Sequence, residues 1–154
     1  MTAFPIFIEL ERKNILVAGA GGVAKRKIAT LLDFGAEITV IAKEVPKDFM
    51  EAFGGNPKVQ IRQGELPDIK YEIDTKDYEI LIAATDDEEV NREIAVLCSF
   101  KGILVNTASG RAENSFYFPA IAKNDDYIIG ISTDGKSPSA AKDMRIRIEK
   151  ELLK

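Results

Sequence analysis

Short apolar runs alternate with amphipathic stretches along most of the chain. Runs rich in Ile, Val and Leu predict buried strands. These runs are NILVA (14–18), AEITVIA (36–42), KVQIR (58–62), EILIAA (79–84) and ILVN (103–106). Most of the stretches between them carry apolar residues at helical spacing, which predicts helices. Repeated strand–helix units of this kind predict a parallel sheet covered by helices on both faces.

The helices differ in how clearly they are marked. In the first, over 22–34, Ala24, Ile28, Leu31 and Leu32 share a face, and Gly35 is placed to end it. A later helix follows TDDE, where Thr85 and Glu88 have the spacing of a capping box, and Gly102 ends it. The stretch GELPDIKYEIDTKDY (64–78) has no clean period, and we predict a loop with at most one turn there.

After residue 115 the pattern changes from strand–helix units to a hairpin. FYFPAIAK (116–123) and DYIIGIST (126–133) predict two strands joined by a tight turn at Asn124 and Asp125. Ser137 and Pro138 have the residue types of a helix cap and a first helical position. The helix that they begin has an apolar stripe, formed by Ala141, Met144, Ile148 and Leu152.

A glycine-rich turn links the first strand to the first helix. Gly19, Gly21 and Ala24 form the pattern G-x-G-x-x-A. In dinucleotide-binding proteins the first glycine allows the tight turn, the second lets the backbone approach a pyrophosphate, and the third small residue lets helix and strand pack closely. The flanking strand, helix and second strand are all present. The pattern therefore predicts a Rossmann-type, dinucleotide-binding fold.

Residues at the ends of the second and fourth strands bear on the cofactor. The acid that usually binds the adenine ribose is missing, since the sequence there reads Ala42, Lys43, Glu44. Lys43 could meet a 2′-phosphate instead, so the residues alone leave NAD and NADP open. Thr85 and Asp86 follow the fourth strand and are candidates both for a helix cap and for a cofactor contact.

Arg26 and Lys27 follow the glycine turn within the first helix. A basic pair at this position could contact phosphate. A solvated helix face is the commoner role for charged residues on a surface helix, and it is what we predict for this pair.

Composition limits the chemistry. The 154 residues include no His and only one Cys, Cys98, so a zinc or haem site built from His and Cys is excluded, and we predict no metal site. The net charge of -4 gives no reason to expect nucleic-acid binding. No apolar run reaches the length of a membrane span, and no secretion signal is evident. We therefore predict a cytoplasmic protein that contacts no membrane.

Several segments together resemble one family. They are FPIFIEL, ILVAGAGGVAKRK, LIAATDDEEVNREIA, GILVN, FYFPAIA and ISTDGKSPSAAKDMRIRIE. The chain resembles the N-terminal module of siroheme synthase, the precorrin-2 dehydrogenase and sirohydrochlorin ferrochelatase family. The resemblance covers nearly the whole chain. IAATDDEEVN and the ISTxGKSP pattern are more specific than the glycine turn.

The resemblance implies NAD-dependent oxidation of precorrin-2 to sirohydrochlorin in siroheme or cobalamin synthesis. It implies an NAD cofactor, a tetrapyrrole substrate and a homodimer. It also implies an NAD-binding domain over 1–115 and the start of a dimerisation and substrate region over 116–154. Together with the glycine turn, the predicted cofactor contacts are Gly19, Gly21, Gly22, Val23, Lys43, Glu44, Thr85 and Asp86. The predicted substrate contacts are Asn106, Ser132, Thr133, Lys136 and Ser137.

Two features depart from the family pattern. Family members carry an Asp soon after the fifth strand, as the proposed acid/base, and Ser109 stands at that position here. Serine is not a general base without an activating neighbour, which makes ferrochelatase activity doubtful and dehydrogenase activity impaired. Glu113 is the one carboxylate in NTASGRAENS and is a weaker catalytic candidate. The helical region with which family members continue is absent from this sequence.

Two alternatives stay open at this level. One is a non-catalytic tetrapyrrole- or NAD-binding module that lacks the catalytic Asp. The other is a nucleotide-sensing regulatory domain, which commonly has the ribose acid that this chain lacks.

Overall fold

The computed structural model describes residues 3–110 and 113–151, and these form two compact units. One unit comprises residues 9–116, and the other the described parts of 1–8 and 117–154. The division into an NAD-binding domain over 1–115 and a dimerisation region from 116 stays a prediction. Within the described ranges, no helix is long and apolar enough to cross a membrane.

The unit over residues 9–116 alternates strands and helices. Its elements are β1 (Asn14–Ala18), α1 (Gly22–Leu32), β2 (Glu37–Ala42), α2 (Lys47–Phe53), β3 (Val59–Gln63), α3 (Leu66–Thr75), β4 (Ile80–Ala83), α4 (Glu88–Lys101) and β5 (Leu104–Thr107). The five strands form one parallel sheet in the order β3-β2-β1-β4-β5. The predicted fold class is confirmed.

The sheet forms because its central strands are apolar on both faces. Ile15, Leu16 and Val17 of β1 are fully buried, and the same holds for Leu81 and Ile82 of β4. Strands buried on both faces need helices above and below, and each crossover here supplies one. The chain first adds β2 and β3 on one side of β1 and then β4 and β5 on the other side. Doubly wound sheets bind ligands at this switch point, between β1 and β4.

The segment from 64 to 78, which we predicted as a loop, contains the helix α3. Glu65 and Asp68 form a reciprocal capping box at its start, and Pro67 lies in its first turn. Ile69 and Ile73, four residues apart, are buried on one face. The helix was missed because only one narrow apolar stripe marks it among many charged residues.

The second unit contains β6 (Ala120–Lys123), β7 (Ile128–Ile131) and α5 (Pro138–Glu151). β6 and β7 pair antiparallel, as predicted, but both are shorter than the apolar runs that predicted them. Pro119 lacks the N–H that pairing requires, so β6 begins after it. β7 ends before Ser132, whose hydroxyl accepts a hydrogen bond from the Asp134 N–H in the following turn.

The apolar stripe of α5 is only partly covered within the chain. Ala141 is buried, Ile148 is half-buried, and Met144 is exposed. Leu152, the last predicted member of the stripe, lies outside the described residues.

Candidate functional site

The carboxyl ends of four strands are aligned at one edge of the sheet. Ala18 pairs with Ile41 and with Ala83, and Ala83 pairs with Thr107. Backbone hydrogen bonds continue just past the strands, from Ala84 N–H to the Ala18 carbonyl and from Ala108 N–H to the Ala83 carbonyl, each 2.8 Å. The segments that follow β1, β4 and β5 therefore leave the sheet at the same edge, where ligands of such sheets bind.

The turn after β1 needs glycine at position 19. Gly19 has φ of +104°, and a Cβ there would lie 2.3 Å from the Ala84 carbonyl oxygen. Its N–H donates to the Ile41 carbonyl at 2.8 Å, which ties the turn to β2. Gly19 is thus required by the close packing of the β1 and β4 turns.

Gly21 has a different role from Gly19. It is the N-cap of α1 and offers no capping side chain, and a Cβ at Gly21 or Gly22 would meet nothing within 4 Å. The first N–H groups of a helix have no partner within it. Ala24, the third small residue of the pattern, is fully buried against the sheet unit's core. The residues present therefore fit a dinucleotide, whose pyrophosphate can approach this open helix start.

The end of β2 carries exposed charged groups. Lys43 Nζ lies 3.2 Å from Glu65 Oε1, and the hydrogen bond and charge of Glu65 raise the pKa of this lysine. A cleft of about 330 Å³ opens between the ends of β2 and β3. Its lining residues are Lys43, Glu44, Gln63, Gly64 and Glu65. These are the groups that a nucleotide bound across the glycine turn would meet beyond β2.

The predicted capping box at Thr85 and Glu88 is wrong. α4 begins at Glu88, and its N-cap is Asp87, whose carboxylate accepts hydrogen bonds from the Glu89 and Val90 N–H groups. Thr85 lies two residues too early to cap. Its hydroxyl instead lies 2.8 Å from Asn91 Oδ1, so Thr85 is part of a side-chain network after β4. Asp86, the other candidate in this segment, is exposed.

Asn91, which sequence reasoning missed, connects this network to the loop after β5. It is only 1% exposed. Its Oδ1 accepts from the Thr85 N–H at 3.0 Å, and its Nδ2 donates to Ser109 Oγ at 2.7 Å. The signal for it was a polar residue on the apolar face of α4, one turn before Ile94. Asn91 thus fixes the Ser109 side chain as an acceptor and leaves the Ser109 hydroxyl proton for another partner.

Asn106 and Lys27 form a second polar pair at the end of β5. Lys27 Nζ donates to Asn106 Oδ1 at 2.5 Å, and Asn106 Nδ2 donates to the Phe116 carbonyl at 2.8 Å. The prediction that Lys27 belongs to a solvated helix face is wrong, because the side chain is half-buried against β5. Burial and the neighbouring Arg26 charge lower the pKa of Lys27 to about 8. Arg26 itself is exposed, as predicted.

Glu113, the weaker catalytic candidate, is held near α4. Its Oε1 lies 3.8 Å from Arg92 Nε, and its side chain is partly buried. The adjacent loop residues Arg111 and Ala112 lie outside the described residues. The structure therefore brings Ser109 and Asn106 together at the carboxyl edge and gives Glu113 a cationic partner.

The remaining substrate candidates lie in the second unit, around the start of α5. Ser137 caps the helix, since its Oγ accepts from the Ala140 N–H at 3.2 Å, which confirms that prediction. Thr133 Oγ1 accepts from the Ser137 N–H at 3.0 Å and donates to the Ser137 carbonyl. Ser132 and Lys136 are exposed. The segment is thus a hydrogen-bonded turn that places an exposed lysine, Lys136, beside a helix N-terminus.

A larger polar cleft, of about 500 Å³, opens at the opposite edge of the sheet. Its lining includes Asn14, Glu37 and Tyr78, which lie at or just before the starts of their strands. Doubly wound sheets bind their ligands at the carboxyl ends, so this cleft is not the candidate site. Across residues 3–110 and 113–151, no group of three His, Cys, Asp or Glu side chains could hold a metal ion.

Comparison with known proteins identifies the family. Residues 6–120 match the model of a family described as putative NAD(P)-binding. The siroheme synthase of Tolumonas auensis is 33% identical over 149 residues, which are 97% of this chain and 30% of that protein. A probable multifunctional siroheme biosynthesis protein of Ruminiclostridium josui is 37% identical over 150 residues, 96% of this chain and 28% of that protein. The chain thus spans about three tenths of the length of these relatives.

A solved structure agrees with this assignment. The precorrin-2 dehydrogenase SirC matches with a TM-score of 0.69 and 27% identity, over 96% of this chain and 70% of that one. The family description confirms the predicted cofactor as a nicotinamide dinucleotide, at the level of NAD(P). The chain belongs to the family described as putative NAD(P)-binding, and over nearly its whole length it is similar to siroheme synthases.

Proposed function

We propose that this chain is an NAD-dependent dehydrogenase that oxidises precorrin-2 to sirohydrochlorin in siroheme synthesis. The observation that carries the proposal is the open glycine turn at the switch point of the sheet, at the same sheet edge as the hydrogen-bonded side chains of Thr85, Asn91 and Ser109. The named relatives are siroheme proteins, and the similar solved structure is a precorrin-2 dehydrogenase. They support this substrate in preference to other substrates of Rossmann-type dehydrogenases.

The cofactor contacts follow from the aligned strand ends. Gly21, Gly22 and Val23 would present backbone N–H groups to the pyrophosphate, and Thr85 with Asp86 would border the nicotinamide half. When bound, NAD⁺ supplies the hydride acceptor. The protein's part is to orient that acceptor and the substrate at the carboxyl edge.

The charges beyond β2 favour NAD over NADP. Lys43 is the cation that could meet a 2′-phosphate, but it already lies 3.2 Å from Glu65. Glu44 and Glu65 both line the cleft there, and their charges oppose a dianionic phosphate. Lys43 and Glu44 would therefore border an unmodified adenine ribose.

Polar groups after β5 and before α5 would bind the substrate. Asn106 and Ser109 each keep one proton that no described partner accepts, and each can donate it to a tetrapyrrole carboxylate or pyrrole. In the second unit, the substrate contacts that the resemblance implies are Ser132, Thr133, Lys136 and Ser137, where a lysine and a helix N-terminus favour carboxylates. This substrate role, like the homodimer and the cytoplasmic setting, rests on the resemblance to the family.

The reaction leaves one proton to be placed. Oxidation of precorrin-2 transfers a hydride to NAD⁺ and releases a proton, giving sirohydrochlorin, NADH and H⁺. Ser109 is a neutral hydroxyl that accepts a hydrogen bond from Asn91, and serine is not a general base without an activating neighbour, so the proton would pass to water. A missing acid/base costs a factor of about 10²–10⁴ in rate, which impairs the dehydrogenase without abolishing it. Metal insertion removes two pyrrole protons, so ferrochelatase activity would suffer more.

The second candidate is a non-catalytic tetrapyrrole- or NAD-binding module. The observation that favours it is Ser109 at the position where the family carries its acid/base. Rate measurements separate the two, because binding alone produces no NADH.

The test is anaerobic incubation of precorrin-2 with NAD⁺, followed by absorbance of NADH and sirohydrochlorin. We expect the chain to exceed the non-enzymatic rate, and Ser109→Asp to raise the rate at least tenfold. Asn91 Nδ2 can donate to the new carboxylate as it does to Ser109 Oγ, which keeps the side chain in place. Ser109→Asn is the matched control, since it has the same shape without a titratable proton, and it should give no increase.

Each outcome has a distinct meaning. A wild-type rate equal to background would reject the dehydrogenase. If Ser109→Asp were then active, the binding-module alternative would be supported. A wild-type enzyme that is active and unchanged by Ser109→Asp would show that position 109 does not hold the acid/base.

A further inference from the structure

Lys27 connects the glycine-turn helix to the end of β5. It lies in the second turn of α1, and its Nζ donates to the Oδ1 of Asn106, 79 residues later, at 2.5 Å. The side chain is half-buried, whereas the adjacent Arg26 is exposed. A lysine that crosses from one element to another to reach a buried amide has a defined position that a solvated lysine lacks.

Asn106 is held from two sides. It is 5% exposed, accepts from Lys27 through Oδ1 and donates through Nδ2 to the Phe116 carbonyl at 2.8 Å. The two contacts distinguish the oxygen of the amide from its nitrogen, so they set its orientation. An amide nitrogen carries two N–H groups, and the Phe116 bond uses one of them.

We propose that Lys27 is a positioning residue, which orients the Asn106 amide so that its second N–H is available to a ligand at the carboxyl end of β5. The inference rests on the proposed function only in naming that ligand as the tetrapyrrole. The part that concerns the Lys27–Asn106 pair stands on the contacts of this chain alone.

The electrostatics of Lys27 agree with this role. Burial, which is the larger effect, and the charge of Arg26 together lower the pKa of Lys27 to about 8. At neutral pH the ammonium is the main form, and a charge-assisted hydrogen bond to an amide oxygen is stronger than a neutral one. The lysine therefore holds Asn106 most firmly while it carries its charge.

A lysine titration tests the pair without catalysis. In protein labelled with [ε-¹³C]lysine, we expect one resonance with a midpoint near pH 8, assigned to Lys27 by its loss in Lys27→Met. Asn106→Asp puts a carboxylate beside the ammonium, and should raise that midpoint by at least one pH unit. Asn56→Asp, in an exposed turn before β3, is the control and should leave it unchanged. An unmoved midpoint in Asn106→Asp would overturn the proposal.

A kinetic comparison tests the role in the reaction. We expect Lys27→Met to lower kcat about tenfold while KM for NAD⁺ stays within twofold, and Lys27→Arg to retain most of the rate because it still donates to Asn106. Lys25→Met removes the same charge from the same helix, where Lys25 bonds Asp48, and should resemble wild type. A wild-type kcat in Lys27→Met would overturn the positioning role.

The two proposals fail separately. A wild-type chain that does not oxidise precorrin-2 would overturn the proposed function, and the lysine titration would still decide whether Lys27 holds Asn106.

Discussion

At the scale of single residues, the two glycines of the turn are required for different reasons. Gly19 is fixed by the fold, because its positive φ and the nearby Ala84 carbonyl leave no room for a side chain. Gly21 is not, since a Cβ there would meet only open space. Open space beside the start of a helix leaves the first N–H groups of that helix accessible to a ligand. The G-x-G spacing predicted both positions but could not separate the role of one from that of the other.

Gly19→Ala should therefore destabilise the sheet unit. The added Cβ would lie 2.3 Å from a backbone oxygen, at a φ that alanine rarely adopts. We expect the free energy of unfolding to fall by at least about 2 kcal/mol in urea titration. Gly55→Ala is the control, because its Cβ would meet nothing within 4 Å and no positive φ is required there. Equal stability of the two variants would contradict the close approach of the β1 and β4 turns.

The side-chain pairs of the site were beyond sequence reasoning for a physical reason. Lys27 contacts Asn106 across 79 residues, and Asn91 contacts Ser109 across 18. The local sequence pattern predicts which face of a helix is apolar. It does not predict which distant strand end a long side chain contacts. Asn91 alone left a trace, as a polar residue on the buried face of α4.

At the scale of elements, α3 lacks the continuous apolar stripe by which a helix is recognised in a sequence. Its buried face includes a charged residue, Glu72, which is 2% exposed and breaks the apolar stripe between Ile69 and Ile73. Glu72 is tolerated there because Arg62, Lys76 and Tyr78 surround its carboxylate, at 2.6, 3.2 and 2.7 Å. Buried charges require such partners. The cluster anchors α3 to β3 and to the start of β4.

Glu72→Gln should lower the free energy of unfolding by about 2 kcal/mol at pH 7, because a neutral amide cannot satisfy two cations. Burial alone would raise the pKa of Glu72, but the hydrogen bonds from Tyr78, Arg62 and Lys76 outweigh it, and the pKa is lowered. A carboxyl whose pKa is depressed on folding contributes stability above its ordinary value of 4.5, and loses it as the pH falls further.

Urea titrations between pH 7 and pH 3 check both the loss and its pH dependence. The difference between wild type and Glu72→Gln should be full at pH 7 and should narrow below pH 4.5. Glu51→Gln, which removes an exposed partner of Lys47, should cost less than about 0.5 kcal/mol. A difference independent of pH would mean that the charge of Glu72 does not stabilise the fold.

At the scale of the whole molecule, the sequence predicted the architecture well. The apolar runs and the glycines that end them predicted the bounds of all five parallel strands to within one or two residues, because strands buried on both faces must be apolar throughout. The hairpin and the cap at Ser137 were also predicted, since both depend on local turn chemistry. The glycine turn predicted a dinucleotide cofactor, which the family description confirms at the level of NAD(P), while the individual contact residues stay predictions.

The position of the candidate site at one edge of the sheet also follows from the topology. Every strand of the sheet runs the same way, so the glycine turn, Thr85, Asn106 and Ser109 meet at one edge. The wrong helix cap at Thr85 does not affect the position of the site. The N-cap of α4 lies two residues later than predicted, but the strand end that positions Thr85 is the predicted one.

The claim that this edge binds NAD is tested most directly by calorimetric titration of the chain with NAD⁺. We predict saturable binding of one NAD⁺ per chain, tighter than that of NADP⁺, with at least tenfold weaker binding by Gly21→Ala, whose methyl group fills the approach to the helix start. Gly55→Ala should bind as wild type does. Absence of binding, or equal affinity in Gly21→Ala and wild type, would contradict the account.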